Sequence, residues 1–430
     1  MRVGIVGGGV AGLTTAWLLA GAHDVIVLDA RERLGGNVRD ADVVLDGAQL
    51  RIDAGAQHIS PELFPRFMRL LELLELDGGL LPAPQSFTLA VEGVPRPLIV
   101  TPHTRADDWP REPVLDGPEG EAFVAFVTRA VELEAQDASW EIELADVVEE
   151  IPAAPELRER LMYAACAALV GCRVEEAPSL SARGATALLA RVPPGTPPDA
   201  APLWRNVPGG LGRLVEALAD AVPDGGARRG ARIEQVRAGG AGFELRDSAG
   251  GAHAVDHVVL ALPPLAAAEL LDPLAGAGDL VDALRAFRYA PVEIGIHREP
   301  RFMPARRAHW STYNISVHDD WSDVTIWLGP THGVDLFKSW IAHRSVPAGE
   351  LLAHEAFAHL CLTPAAVRAR RTLRARAEQG GISFAGHHLL DVESQESAVT
   401  SAVEVARRLA PASPRLEALL AAEEGRAVPR

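Results

Sequence analysis

Lysine is almost absent from this 430-residue chain: Lys338 stands alone, and every other member of its 41 Lys and Arg residues is arginine. Basic residues are also outnumbered, 41 against 58 acids, for a net charge of −17. An acidic surface of that size argues against nucleic acid or an anionic membrane as partner, and leaves small molecules open. Cysteine is scarce too. Cys166, Cys172 and Cys361 form no CxxC pair and no metal-ligand spacing, so a disulfide framework and a metal site are not expected. Buried thiols in a reducing cytoplasm fit that count. No apolar run reaches the ~18 residues that a membrane span needs. The first thirty residues are apolar, but the glycines at 7, 8 and 9 and the acids Asp24 and Asp29 do not make a secretory signal. With 48% hydrophobic and 23% charged residues, the chain can bury two or three packed domains, and wholesale disorder is excluded.

What is present begins at the N-terminus. Val3–Val6 reads as a strand buried on both faces, Gly7–Gly12 as a tight turn, Leu13–Leu19 as a helix, and Asp24–Asp29 as a second buried strand. This is the first half of a doubly wound sheet. In Gly7-x-Gly9-x-x-Gly12 the first glycine permits the turn, the second lets a pyrophosphate approach the backbone, and the third allows close helix–strand packing. Asp29 ends the second strand where a ribose-binding acid belongs.

Further along, the apolar spacing at 61–80 predicts a core-facing helix; a lipid-uptake helix would need more basic residues than Arg66 and Arg69. Residues 86–100 read as a hairpin around Gly93, 119–190 as helical, and the prolines at 193, 194, 197, 198 and 202 as a returning loop. A helix starts at Gly209-Gly210. Strands follow through Ile233 and Val236 and at Val258–Pro263, with β alternation over 290–330. Residues 350–375 read as an Arg-rich solvated helix. Ile382–Gly386 is a strand leading to a helix over 395–410, and the tail after Pro411 is a short, poorly tethered helix.

Three segments together carry a family resemblance. Asp29 is followed by Arg33 and Leu34-Gly35-Gly36, then by Asp53-Ala-Gly55-Ala56-Gln57-His58. Near the C-terminus, Gly381-Ile-Ser-Phe-Ala-Gly386 precedes Gln395-Glu396-Ser397-Ala398. The chain here resembles the FAD-dependent amine oxidase and phytoene desaturase superfamily. Phe287–His297, Met303-Pro304 and Trp310–Asn314 are similar to a bacterial subgroup described only as predicted NAD/FAD-binding, amine-oxidase-like proteins. The resemblance implies an α/β fold: a doubly wound Rossmann-type FAD-binding domain drawn from 1–60, 203–290 and 376–412, a discontinuous α+β substrate domain from 61–202 and 291–375, and a C-terminal tail at 413–430. It implies non-covalent FAD held by Gly7, Gly9, Ala11 and Gly12, by Asp29, Ala30, Arg31 and Arg33, by Gly35, Gly36 and Asn37, and by Gly55, Ala56, Gln57 and His58. Ile233, Ala261, Gly386, Glu396, Ser397 and Ala398 complete the set.

The implied activity is that of a flavin-dependent oxidase or dehydrogenase taking hydride from a C–N, C–O or C–C bond of a small or medium substrate. Oxygen or another acceptor would reoxidise the flavin, in a cytoplasmic protein for which a homodimer is one open arrangement. A lipid or polyene desaturase and a non-catalytic flavoprotein are the competing readings. Many relatives hold a lysine near flavin N5, on a strand corresponding to 290–297. Val292 or Glu293 stands there, and Lys338 lies outside it, which shifts weight from amine oxidation towards desaturation or alcohol and carbon–carbon dehydrogenation. His58, Glu293 and His387 are the candidate catalytic side chains; His297, Trp310 and Tyr313 are further pocket candidates. The two histidines His387-His388 stand where many relatives have an acid.

Overall fold

Val3 and Ile5 turn their side chains to one face of the first strand, and Gly4 and Val6 to the other. A strand buried on both faces needs a parallel sheet with cover above and below. The computed structural model, which describes residues 1–45, 47–102, 111–192, 203–240, 242–377 and 380–421, has that sheet. Five parallel strands run in the order Ile382–Phe384, His257–Leu260, Arg2–Val6, Asp24–Leu28, Ala227–Arg228. One face packs on the helices Val10–Leu19, Gly212–Asp220 and Gln395–Leu409. The other packs on the three-stranded sheet 233–255 and on Pro264–Leu271, Gly278–Arg285 and Pro364–Ala377.

A second, seven-stranded sheet runs Leu351–Cys361, Arg288–His297, Phe337–Trp340, Trp321–Trp327, Tyr313–His318, Phe87–Val91, Ile99–Val100. It is mixed: Tyr313–His318 pairs parallel with Phe87–Val91 and the other pairs are antiparallel. Residues of Gly117–Ala135, Ala164–Val170 and Ala182–Arg191 share its core. The fold is α/β with a doubly wound sheet beside a mixed sheet and helices.

Several expectations change. Residues 351–361 form a strand, not the start of a helix, because they pair along the whole of Arg288–His297; the helix begins at Pro364. Its Arg370 is buried and donates to the carbonyls of His388 and Asp391, so that face is not simply solvated. The helix expected over 61–80 is shorter, Pro65–Leu73. Its Phe67, Leu70 and Leu71 join the core of the glycine-loop helix, and Glu396 accepts from its Arg66 and Phe67 N–H groups. Packing thus moves 65–73 and 364–377 to the side of the parallel sheet. The described part of the tail, up to 421, is held: Leu416 and Leu419 are buried, Ser413 Oγ donates to Leu18 O, and Arg415 donates to Trp17 O. The prolines from 193 to 202 lie outside the described residues.

Candidate functional site

The first parallel strand delivers the chain into the glycine turn. Gly7 has φ +110°, and a Cβ there would stand 2.2 Å from Ala261 O. A Cβ on Gly12 would stand 2.0 Å from Gly7 O. Both positions therefore require glycine for the turn and its packing. Gly9 differs: its nearest neighbour would be Gly36 Cα at 3.7 Å, and the residue lines a cavity. The helix Val10–Leu19 starts there, and its first N–H groups have no intrahelical acceptor. They and the helix dipole make a ready anion site. Asp29 closes the turn by accepting from Gly8 N at 2.6 Å and Arg31 N at 2.7 Å. Gly35 N donates to Gly8 O at 2.8 Å, which lays the Gly35-Gly36 turn along the glycine loop.

From Gly9 a cavity of about 690 Å³ extends to Gly386, to Ser394 and Gln395 at the start of the helix Gln395–Leu409, and into a chamber walled by Leu169, Val170, Leu180 and Leu188. Of the expected cofactor residues, Gly9, Ala11, Arg31, Gly35, Gly36, Asn37, Gly55, Ala56, Gln57, His58, Ala261, Gly386 and Ala398 line it. Gly7, Gly12, Asp29, Ala30, Arg33, Ile233, Glu396 and Ser397 do not. Glu396 caps the helix Pro65–Leu73 instead, and Arg33 donates to Asp40 O.

A buried lysine, Lys338, 3% exposed, lines the cavity. Its strand pairs with Arg288–His297, and Lys338 lies opposite Ile296. A lysine does reach the site, then, from the strand next to the one where it was sought. Its Nζ donates to Asp53 O (3.2 Å), Gly55 O (2.5 Å) and Gln57 Oε1 (2.9 Å). Those three acceptors fix the rest of the network. Gln57 uses its oxygen on Lys338, so its NH₂ donates to His58 Nε2 at 2.6 Å. His58 must then carry its proton on Nδ1, which donates to Asn206 Oδ1 at 2.7 Å. Burial holds His58 neutral, with a pKa lowered to about 4. Both ring nitrogens are committed, so His58 is a positioning group and not a free base. Burial also brings the Lys338 pKa down to about 8.

Behind this wall Asp40 and Asp53 face each other across a two-stranded ladder, 6% and 5% exposed. Leu211 N and Gly212 N, at the start of the helix Gly212–Asp220, donate to Asp53 and Asp40. A Cβ on Gly212 would stand 1.9 Å from Asp40 Oδ2 and one on Gly210 2.9 Å from Asp40, which explains these two glycines: they admit a buried carboxyl pair. Burial raises both pKa values, Asp53 the more, and two buried carboxyls side by side favour keeping a proton on the pair. Such groups stabilise the fold below the ordinary carboxyl pKa, and the contribution is lost as pH rises towards the raised folded value. Thermal melts of wild type minus Asp40→Asn are therefore expected to show a difference that turns against the wild type as pH rises above the ordinary carboxyl pKa of about 4. A pH-independent difference would contradict a proton kept on the pair.

At the other end, Glu393 accepts from Asn37 Nδ2 (2.9 Å) and Leu360 N (3.0 Å), with His387 Nε2 at 3.7 Å. Burial opposes its charge, but His387, His359 and those two donors outweigh it and hold its pKa low. His387 lines the cavity, and its buried Nε2 has no hydrogen-bond partner among the described residues. Its pKa is lowered by burial.

Glu293 is corrected. Strand alternation turns Ile294 into the cavity and Glu293 outward, where its side chain is 53% exposed and 3.5 Å from His354. His297 is bonded to Ser339 Oγ, and Trp310 packs on Trp327 and Phe337; neither lines the cavity, whereas Tyr313 does. The residues missed were Lys338, Asn206, Trp204 and the Asp40–Asp53 pair.

The sequence profile described as flavin containing amine oxidoreductase matches residues 10–320. The chain is 30% identical over 305 residues to a coproporphyrinogen III oxidase of Mycobacterium leprae (strain TN), covering 63% of this chain and 61% of that protein. It thus spans about three fifths of the length of the curated relatives it matches there. Among solved structures, the cyclohexylamine oxidase of Brevibacterium oxydans IH-35A superposes with a TM-score of 0.71 at 18% identity, over 95% of this chain and 98% of that one. A putrescine oxidase bound to putrescine gives 0.69 at 16%, over 95% and 99%. At those identities the likeness is one of fold.

Proposed function

Because the chain belongs to the flavin containing amine oxidoreductase family, we propose that it is an FAD-dependent oxidoreductase that removes a hydride from a C–N, C–O or C–C bond of a small or medium organic substrate. The observation that carries this reading is one continuous cavity, joining a free helix N-terminus at Gly9 to the Lys338–Gln57–His58 network and an apolar chamber. The residues fit the cofactor: open space beside Gly9, N–H groups aimed at an anion, and an unpartnered His387 Nε2 further along the wall. Gly9, Ala11 and the Gly35–Asn37 turn would hold the diphosphate side, with Asp29 shaping the turn from behind, and Gly55–Gln57 with the 395–409 helix start the ring system. Bound FAD supplies a hydride acceptor at N5.

The protein's own part is positional and protonic. The apolar wall excludes water and orients the substrate. Lys338, with its pKa brought near neutrality, is the group on the Gln57 wall that can give up a proton at Nζ near working pH. His58 cannot, since Gln57 and Asn206 hold both its nitrogens. Asp53 lies behind Lys338 as the acid that offsets its charge.

The competing readings lose their motives. The apolar spacing that motivated the lipid reading is used in packing: Phe67, Leu70 and Leu71 of Pro65–Leu73 lie in the core. Lys338 supplies a lysine to the site, which weakens the argument for a non-catalytic protein drawn from its absence on 290–297. Oxygen or another acceptor, the homodimer and the cytoplasmic location belong to the same proposal; three free, buried cysteines support the last. The test is anaerobic mixing of purified protein with candidate substrates. The flavin band should be present and should bleach with a substrate. A colourless protein that takes up no added FAD would overturn the reading.

A further inference from the structure

A charged lysine can only donate, and this fixes the sense of every hydrogen bond beyond it. Lys338 Nζ donates to Gln57 Oε1 at 2.9 Å, Gln57 Nε2 donates to His58 Nε2 at 2.6 Å, and His58 Nδ1 donates to Asn206 Oδ1 at 2.7 Å. A side-chain amide and a neutral imidazole each have a donor side and an acceptor side, so reversing one link reverses the next. The far end of the row is Asn206, 3% exposed and outside the cavity lining. Its strand, Arg205–Asn206, is clamped beside His58. Ile59 N donates to Arg205 O at 3.0 Å, Arg205 N donates to Ile59 O at 2.8 Å, and the strand pairs with Leu81–Pro82. Around Lys338 the amide of Gln57 is the adjustable partner. The other two acceptors are the backbone oxygens of Asp53 and Gly55, and the strands on either side place Ile296 and Ile326 opposite the lysine. The titratable groups near it are Asp53, with Asp40 beside that, and His58, on which His332 also acts. If the Asn206 oxygen were removed, a charged Lys338 would still demand the Gln57 oxygen and would leave the His58 Nδ1–H buried without an acceptor. A neutral Lys338 can accept, so the row could turn round and relieve that loss. The cost of losing Asn206 thus falls on the charged lysine.

We propose that Asn206 is a positioning residue for Lys338: by accepting the Nδ1 proton of His58 it holds the Gln57 oxygen on the lysine, and it does so from outside the cavity. The consequence for flavin reduction rests on the oxidoreductase reading. The consequence for the lysine does not.

Lys338 is the only lysine of the chain, so protein made with lysine carrying carbon-13 at Cε gives one side-chain signal, and its pH titration reads this group alone. The wild-type midpoint should lie at about pH 8. In Asn206→Leu it should fall by at least about one pH unit, a tenfold loss of proton affinity, which is the cost of one buried N–H left without a partner. Asn206→Asp keeps an oxygen that accepts from Nδ1 and should not lower the midpoint. Gln57→Leu should lower it, and the double variant Gln57→Leu with Asn206→Leu should fall no further than Gln57→Leu alone, because Asn206 acts through that amide. In FAD-loaded Asn206→Leu the pH step in the rate of flavin reduction should move down with the lysine. Should Asn206→Leu fail to fold, Asn206→Ser replaces it, since the shorter side chain stops short of Nδ1. An unchanged midpoint in the folded leucine or serine variant, a lowered one in Asn206→Asp, or additive shifts in the double variant would overturn the proposal. The titration needs no flavin. A protein that shows these shifts but takes up no FAD would sink the oxidoreductase reading and leave the positioning role standing.

Discussion

Gly9→Ala is expected to give a folded protein that no longer retains FAD, whereas Gly12→Ala should give no folded protein. The two glycines belong to one motif, yet the space around them differs. At Gly12 a methyl group would lie 2.0 Å from the Gly7 carbonyl oxygen, a contact that only displacement of the turn could relieve. Overpacking backbone against backbone there should cost more than about 3 kcal/mol, a large share of a typical domain's stability. At Gly9 the methyl group meets nothing closer than 3.7 Å and projects into the cavity where the diphosphate would lie. The fold loses a few tenths to about 1 kcal/mol at this helix start. The cofactor loses its close approach to the backbone, and we expect at least about a hundredfold weaker FAD binding, or about 2.7 kcal/mol. Melting temperature and flavin absorbance retained through gel filtration separate the two outcomes. A Gly9→Ala protein that stays yellow would show that the diphosphate does not lie on this loop.

Lys338→Met should produce the second large effect. The substitution preserves most of the apolar stem but removes the donor to Asp53 O, Gly55 O and Gln57 Oε1. Each carbonyl left buried without a donor costs about 1–3 kcal/mol. Gln57 then loses the bond that sets its orientation, and with it the tautomer of His58. The rate of flavin reduction is expected to fall at least about a hundredfold, in the range that one acid–base group contributes.

The pH profile distinguishes a proton-handling role from simple loosening. In the wild type the reductive rate should rise through about pH 8, where Lys338 releases its proton. In Lys338→Met that step should vanish, while a merely structural loss would lower the rate and leave the step in place. Stability carries the same signature with a known sign. The folded pKa lies below the unfolded one, near 10.5, so Lys338 costs stability at neutral pH and the cost fades as pH rises from about 8.

Much of the cofactor cradle was legible because it is local. A glycine turn between a strand and a helix, an acid at the end of the next strand and a second Gly-Gly pair are contiguous patterns, and each glycine's space in the structure explains its place. The catalytic side was less legible, because it is assembled by pairing. Lys338 was sought on the 290–297 strand, but the antiparallel neighbour Phe337–Trp340 brings it opposite Ile296. A lone lysine inside an otherwise apolar and small Phe-Lys-Ser-Trp run was the available signal. Glu293 could have been set aside from its own strand, since Val292, Ile294 and Ile296 alternate with it and take the buried face. Residues 351–361 misled because Leu, Ala, Glu and His suit a helix; ten residues of pairing partner override that preference. Asp40 and Asp53 gave no local sign of keeping a proton, because only the turn at Gly210–Gly212 closes over both.

The most direct test of the central claim is titration of purified wild-type protein and Gly9→Ala with FAD, followed by gel filtration and absorbance. The account predicts one FAD per wild-type chain, with a flavin band altered by the protein, and none on a Gly9→Ala chain that melts as a folded protein. Wild type that takes up no FAD, or equal uptake by both proteins, would contradict it.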